Sequence, residues 1–337
     1  MRAMVLCSTV DLDENPEPLK MVDLPLPEPG AGEVLVEVSV CGVCHTELDE
    51  IEGRTPPPSF PVVPGHEVIG RIAGLGQGSR RFQPGDRVGV GWIFSSDGTD
   101  TENLSESFLA TGRDANGGYA EYMTVAETYA YPIPDEFSDV EAAPLLCAGG
   151  VGYRALRLAG LTDGQVLGLT GFGGSGHLVL QLAKHLYPAS PVYVFARSAV
   201  ERDFALSLGA DWCGDTDDEP PQAAHAIIDT TPAWRPVLAA LRQLRPGGRL
   251  VINAIRKEAA DRNLLADISY GEQLWLEKEI KTVANITHAD IAEFLPIATR
   301  VPLSVETESY PLEAANSALL DLRAGHIKGA KVLVIKQ

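Results

Sequence analysis

The chain has 337 residues, 45% of them hydrophobic, and sets 27 basic against 46 acidic side chains for a formal net charge of −19. That length accommodates two domains with separate cores, while so acidic a surface disfavours nonspecific binding to nucleic acid or anionic membranes. No apolar run reaches the length of a membrane span, the N-terminus lacks the pattern of a secretion signal, and the five cysteines (Cys7, Cys41, Cys44, Cys147 and Cys213) are too scattered for a disulfide framework; a cytoplasmic protein is expected.

Residues 1 to about 147 read as β-rich. Short strand-like runs at Met4–Cys7, Val34–Val40 and Val68–Ile72 are separated by proline and glycine clusters at Pro25–Gly32, Pro56–Pro64 and Pro84–Asp86. That pattern predicts an irregular antiparallel, barrel-like domain. Residues 92–118 are polar and turn-rich and read as a surface excursion. From about 150 to 298, helical segments alternate with strands expected at Gln165–Thr170, Val192–Ala196, Ala226–Asp229, Arg249–Asn253 and Lys281–Ala284. Such alternation predicts an α/β doubly wound parallel sheet. A helix over Leu312–Arg323 and a short strand over Lys331–Ile335 close the chain. So short a strand needs a sheet to join, and the first domain's sheet is the expected one. The domains are therefore expected at 1–148 with 299–337, and at 149–298.

The most informative stretch runs from Val166 to Ser198. A short apolar strand ends at Thr170, Gly171, Gly173 and Gly176 follow in GxGxxG spacing around Gly174 and Ser175, and Leu178, Leu182 and Leu186 then recur at helical intervals. In this strand–turn–helix setting the first glycine permits the turn, the second lets the backbone approach a pyrophosphate, and the third allows helix and strand to pack closely. The free N–H groups of the helix start then face the anion. The competing reading is a tight turn that binds nothing.

Two further segments carry soft or borderline metal ligands: Cys41 to Asp49, with Cys44, His45, Thr46 and Glu47, and Gly65-His66-Glu67. Cys147 stands as a third candidate. Cysteine, cysteine and histidine form a known catalytic zinc set. Cys41 with Cys44 also suits a redox pair or half a zinc site, and a lone buried cysteine also suits simple packing.

Together, in this order, Gly42-Val43-Cys44-His45-Thr46, Pro64-Gly65-His66-Glu67, Pro84 to Val88, Gly117 to Tyr122, Cys147-Ala148-Gly149, the glycine turn and the stretch from Gly325 to Val334 resemble the zinc-dependent alcohol dehydrogenases of the medium-chain dehydrogenase/reductase superfamily. The resemblance covers nearly the whole chain. It implies a doubly wound parallel Rossmann sheet inserted after an irregular GroES-like β-barrel catalytic domain. It implies a catalytic zinc on Cys44, His66 and Cys147, with Glu67 as a nearby acid able to approach the metal and Cys41 outside the ligand set. It gives Thr46 the alcohol proton, places His45 near the cofactor pyrophosphate, and makes Glu47 an acid that orients a ligand. Where many relatives have a second relay histidine this chain has Asp49, which weakens a proton wire to solvent. The turns at Asn253, Ile255 and Asn285 are implied to line the nicotinamide, and Lys328 to reach the pyrophosphate. Trp92, Ile93 and Phe94 are expected to wall the substrate pocket.

Two departures refine these expectations. No cysteine lies between Cys44 and Cys147, so a four-cysteine structural zinc is impossible there and one zinc per subunit is expected; Asp97, Asp100 and Glu102 read as a solvated acidic loop. The acid that favours NAD at the end of the second strand is replaced by Ala196, followed by Arg197 and Ser198, which suit the 2′-phosphate of NADP(H) over NAD(H); Arg202 reads as a surface residue. The implied reaction is reversible hydride transfer between a primary or aromatic alcohol and its aldehyde, in a homodimer or homotetramer. A zinc-free quinone or enone reductase and a zinc polyol or formaldehyde dehydrogenase are the alternatives.

Overall fold

The computed structural model describes residues 1–325 and 329–336. The chain forms two compact units, one of Met1–Cys147, Ile286–Pro296 and Val305–Gln337, the other of Ala148–Asn285 and Ile297–Ser304.

In the first unit β1 (Arg2–Leu6) and β2 (Leu19–Asp23) pair as an antiparallel ribbon. The main sheet is built on β3 (Glu33–Val43), flanked by β4 (Val68–Leu75) and, beyond it, β5 (Arg87–Val90). A small ribbon of β6 (Ile93–Ser95) and β7 (Leu109–Ala110) leads to β8 (Tyr122–Ala126), which pairs with β3, and β9 (Ala130–Pro132), which pairs with β5. From Val36 to Val40, β3 alternates buried valines with half-buried Glu37 and Ser39, then is buried on both faces from Val40 to Val43. This shift from one covered face to two explains why the strand outruns the expected end at Val40. Two short helices, α1 (His45–Ile51) and α2 (Asp139–Ala142), belong to the same unit.

The second unit opens with α3 (Ala148–Ala159) and carries six parallel strands: β10 (Leu167–Thr170), β11 (Val192–Phe195), β12 (Trp212–Gly214), β13 (Ala224–Asp229), β14 (Leu244–Ile252) and β15 (Glu279–Thr282). Their order is β12-β11-β10-β13-β14-β15. Every residue of β10 and β11 is buried, as expected of parallel strands covered on both faces. The connecting helices are α4 (Gly174–Leu186), α5 (Ala199–Ser207) and α6 (Arg235–Gln243). The expected strand at 281–284 lies two residues earlier, and β12 had no clear sequence signal because it has three residues, of which Trp212 and Cys213 are half-buried.

After α7 (His288–Ala298) the chain forms β16 (Thr307–Pro311), α8 (Ala315–Arg323) and β17 (Ala330–Val334). The expected helix from Leu312 splits, because its first turn, Leu312–Ala314, is a 3-10 turn. Strand β17 pairs antiparallel with β3, Val332 opposite Gly42, so the chain's end completes the sheet from which the Cys44 segment emerges.

Residues 92–118 are only partly solvated: Asp97 to Thr101 are exposed, as expected, but other parts of the stretch are buried. Ile93, Ala110 and Thr111 are buried, and Glu102 is 1% exposed. Its carboxylate accepts a hydrogen bond from the Tyr129 hydroxyl at 2.8 Å and another from the backbone N–H of His288. The His288 ring stacks on Tyr131 with centroids 5.3 Å apart. An acid in a polar stretch reads as surface until its donors, far away in sequence, are known. Replacing Glu102 by alanine leaves a buried hydroxyl and a buried N–H without acceptors; an expected loss of about 3 kcal/mol is checked by urea unfolding, with faster proteolytic cleavage within 92–118 as the local signature.

Candidate functional site

Strand β3 ends at Val43, and Cys44 caps α1 with extended backbone angles, φ −116° and ψ 162°. Its backbone N–H donates to Glu47 Oε2 at 2.8 Å. The other oxygen of the same carboxylate, Oε1, lies 2.6 Å from His66 Nδ1, with Glu47 0% and His66 1% exposed. The approach is off the line of a straight hydrogen bond, so the contact is chiefly electrostatic. A carboxylate here favours the proton on Nδ1 and leaves Nε2 as the free lone pair. That Nε2 is buried and has no partner among the described residues.

His66 is delivered by Gly65, whose φ of +99° is left-handed. A Cβ there would stand 2.4 Å from the Tyr119 ring and 2.9 Å from Cys41 Sγ, so only glycine lets the chain pass. Gly42 does the same for Glu67, whose Oε2 would lie 1.9 Å from an added Cβ. Cys147 follows the 3-10 turn Ala143–Leu146, and its Sγ lies 3.9 Å from Cys44 Sγ. Ligand atoms of Cys44, His66, Glu67 and Cys147 all fall within 4.8 Å of one another.

The electrostatics follow from this crowding. The contact with Cys147 pulls the Cys44 thiol well below its ordinary pKa, against burial, and His66 adds to the effect. Cys147 is held high in turn, first by Cys44 and then by burial. Burial alone would lower the His66 pKa, but the Glu47 carboxylate and Cys44 outweigh it and raise it. Burial first, then Cys44, raises Glu67. Cys41 is buried and its thiol pushed up by desolvation; it stands outside the ligand cluster.

Around the cluster, Thr46 is 6% exposed with Oγ1 3.5 Å from Cys44 Sγ, whereas His45 is exposed. Asp49 is buried and paired with Arg54 at 2.5 Å. The Trp92 ring lies 5.9 Å from His66 and 5.9 Å from Phe108, with the Arg113 guanidinium 6.0 Å from it. Ile93 instead points into the core, 2% exposed. Phe108 and Arg113 had no sequence signal, since their relation to Trp92 arises only from the folded loop.

In the second unit the three turn glycines divide their roles. Gly171 has φ +79° and no room for a Cβ, which would lie 2.8 Å from Thr230 Oγ1; Gly176 packs 2.8 Å from the Gly171 carbonyl oxygen by the same measure. Gly173 and Gly174, at the start of α4, have nothing within 4 Å, so the helix N-terminus is open to a ligand. Ser175 lies in the first turn of that helix. Arg197 and Ser198 are exposed just beyond β11. Arg202 is half-buried rather than a surface residue: its Nη1 donates to the carbonyls of Ala196 at 2.6 Å and Arg197 at 2.9 Å. Asn253 and Asn285 each have a buried Nδ2 without a partner among the described residues, and Asn285 is left-handed at φ +64°. Ile255 is 48% exposed, and Lys328 lies outside the described residues.

Residues 30–135 match the alcohol dehydrogenase GroES-like domain. A probable alcohol dehydrogenase of Mycobacterium tuberculosis is 40% identical over 329 residues, covering 94% of this chain and 93% of the relative. The chain belongs to the zinc-type alcohol dehydrogenases of the medium-chain dehydrogenase/reductase family. An alcohol dehydrogenase of Geobacillus stearothermophilus is 31% identical, covering 96% of this chain and 98% of its own. Among solved structures, a cinnamyl alcohol dehydrogenase of Sorghum bicolor superposes with a TM-score of 0.81 at 26% identity, over 98% of this chain and 97% of the other. The chain thus has the GroES-like and Rossmann fold of an oxidoreductase acting on alcohols.

In this alcohol dehydrogenase the Cys44 thiol is expected to differ from Cys41 in reactivity. In metal-free protein, iodoacetamide is expected to alkylate Cys44 at a pH below the ordinary thiol range and to leave Cys41 unmodified under native conditions. Peptide mass spectrometry across a pH series reads both.

Proposed function

We propose that this chain is a zinc-dependent alcohol dehydrogenase interconverting primary or aromatic alcohols and their aldehydes, with NADP(H) preferred over NAD(H). The observation that carries the reading is the convergence of half-buried Cys44 and Cys147 with buried His66 and Glu67, in which His66 Nε2 has no hydrogen-bond partner among the described residues. Two thiolates and an imidazole are the donor set of a catalytic zinc with one open position. Cys44, His66 and Cys147 would hold the ion, with Glu67 beside it. Zinc there would act as a Lewis acid toward the reacting oxygen, and the nicotinamide would exchange hydride with its carbon.

The chain's own residues do the rest. Glu47 fixes the imidazole and the turn that presents Cys44. The Thr46 hydroxyl, beside the Cys44 sulfur, takes or returns the alcohol proton. Asp49 is paired with Arg54, so the onward route to solvent does not follow the relay histidine of many relatives. Trp92, with Phe108 against its edge, supplies an apolar aromatic wall beside His66. That wall supports an aromatic substrate, as do rice relatives described as probable cinnamyl alcohol dehydrogenases, one 32% identical over 88% of this chain and 85% of its own.

Cofactor choice rests on the end of β11. Ala196 offers no acid to the ribose, and Arg202 fixes the two carbonyls of that turn, leaving Arg197 exposed for a phosphate. At that turn an arginine meets a phosphate with forked, paired donors.

The purified enzyme is expected to hold one zinc per chain by elemental analysis and to reduce aromatic aldehydes faster with NADPH than with NADH; a metal-free protein with full turnover refutes the reading. Glu47→Ala is expected to weaken zinc binding about 10–100-fold, read by competition with a chromogenic chelator. Arg197→Ala is expected to raise the KM for NADPH about tenfold, a loss of ~1.4 kcal/mol, with the KM for NADH little changed; an equal rise for both cofactors sinks the NADP assignment.

A further inference from the structure

A cavity of about 350 Å³ opens on the second unit where the parallel strands begin. Gln165 precedes β10, His225 lies near the start of β13, Arg245 and Arg249 lie in β14, and Glu279 starts β15. The glycine turn follows the other end of β10, so this cavity is separate from the dinucleotide site. It gathers two guanidiniums and an imidazole in a chain of net charge −19.

The imidazole is the informative group. His225 Nδ1 faces the backbone N–H of Val166 at 3.1 Å, and His225 Nε2 lies 2.7 Å from Arg245 Nη1. Both neighbours are hydrogen-bond donors. Burial, then the Arg245 charge, lowers the His225 pKa, so the ring is neutral and carries one proton. Whichever nitrogen bears it, one contact sets donor against donor. The Val166 N–H belongs to the main chain beside the sheet and is fixed. With Nδ1 accepting from it, Nε2–H and the exposed Arg245 guanidinium face one another and lack a shared acceptor.

Arg249 forms the opposite side. Its Nε donates to Glu279 at 2.8 Å and its Nη1 to the Leu158 carbonyl at 2.9 Å, so the guanidinium is held in place. Gly160, at φ +64°, makes the room: a Cβ there would stand 2.9 Å from Arg249 Nη1. Two guanidiniums and one carboxylate leave a net positive charge around a donor-rich space.

We propose that this cavity binds a small phosphate-type oxyanion, which takes the acceptor position between His225 Nε2–H and the Arg245 guanidinium with Arg249 behind it. Phosphate oxygens match the forked donors of arginine. No reaction occurs there; the site is a binding site at the far end of the sheet from the cofactor turn.

The test is calorimetric titration of inorganic phosphate, and in parallel glycerol 2-phosphate, into enzyme saturated with nicotinamide cofactor at constant ionic strength. Saturating cofactor keeps the pyrophosphate turn from answering instead. One saturable event is expected, weakened about tenfold or more by Arg245→Ala, while turnover of that variant stays at the wild-type value. Tighter binding of the ester marks an organic phosphate as the ligand, and equal affinity marks the free ion. Nitrogen-15 spectra of labelled histidine are expected to show the His225 Nε2 resonance moving with phosphate. No saturable binding, or undiminished binding in Arg245→Ala, or an unmoved His225 signal overturns the proposal.

Discussion

A single carboxylate holds the candidate site together. Glu47 receives the Cys44 N–H on one oxygen and faces His66 Nδ1 with the other. Cys44 and Glu47 lie three residues apart at the start of α1, whereas His66 arrives from the turn before β4. The carboxylate thus converts a local capping arrangement into a long-range constraint. It is fully buried, so its contact with the imidazole is little screened by water. The direction of the imidazole follows from what this acid faces, whereas the lowered Cys44 thiol follows first from Cys147 and then from His66.

Glycine makes that arrangement sterically possible. Gly42 leaves space for the Glu67 side chain, and Gly65 lets the main chain pass beneath Tyr119. These are requirements of close approach rather than of flexibility. The glycines of the nucleotide turn divide in the same way: Gly171 and Gly176 serve internal packing, while Gly173 and Gly174 face open space where an anion can meet the helix N-terminus. One residue type therefore serves both the candidate metal cluster and the glycine-rich turn by the same physical means, the absence of a side chain.

The chain is strongly acidic, yet several of its buried acids are individually matched. Asp49 is paired with Arg54, and Glu102 with the Tyr129 hydroxyl and the His288 N–H. Asp229, at the end of β13, accepts from Thr170 and Thr231 hydroxyls and pairs with Lys257. An unpaired buried charge would cost several kcal/mol, so each such acid fixes the partner segment that neutralises it. Glu102 thereby ties the 92–118 loop to Tyr129 and His288.

Much was legible from the chain itself wherever the signal is local. Apolar runs of fixed length mark β10 and β11, the glycine spacing marks the start of α4, and alternating valines mark β3, because backbone sterics and side-chain periodicity act within a few residues. The ligand types were equally visible, since only certain side chains donate to zinc. The sequence could not settle which polar residues are interior. Glu102 read as solvated and is buried; Arg202 read as surface and caps a turn; Ile93 read as pocket wall and is core. Burial depends on what other segments bring, and for Glu102 those segments lie 27 and 186 residues away. The sequence by itself determined the elements, the glycine-rich turn and the candidate metal-ligating groups; only the tertiary structure decided which of those groups share one small volume and which acid lies against them, because electrostatic and packing partners are chosen by proximity in space.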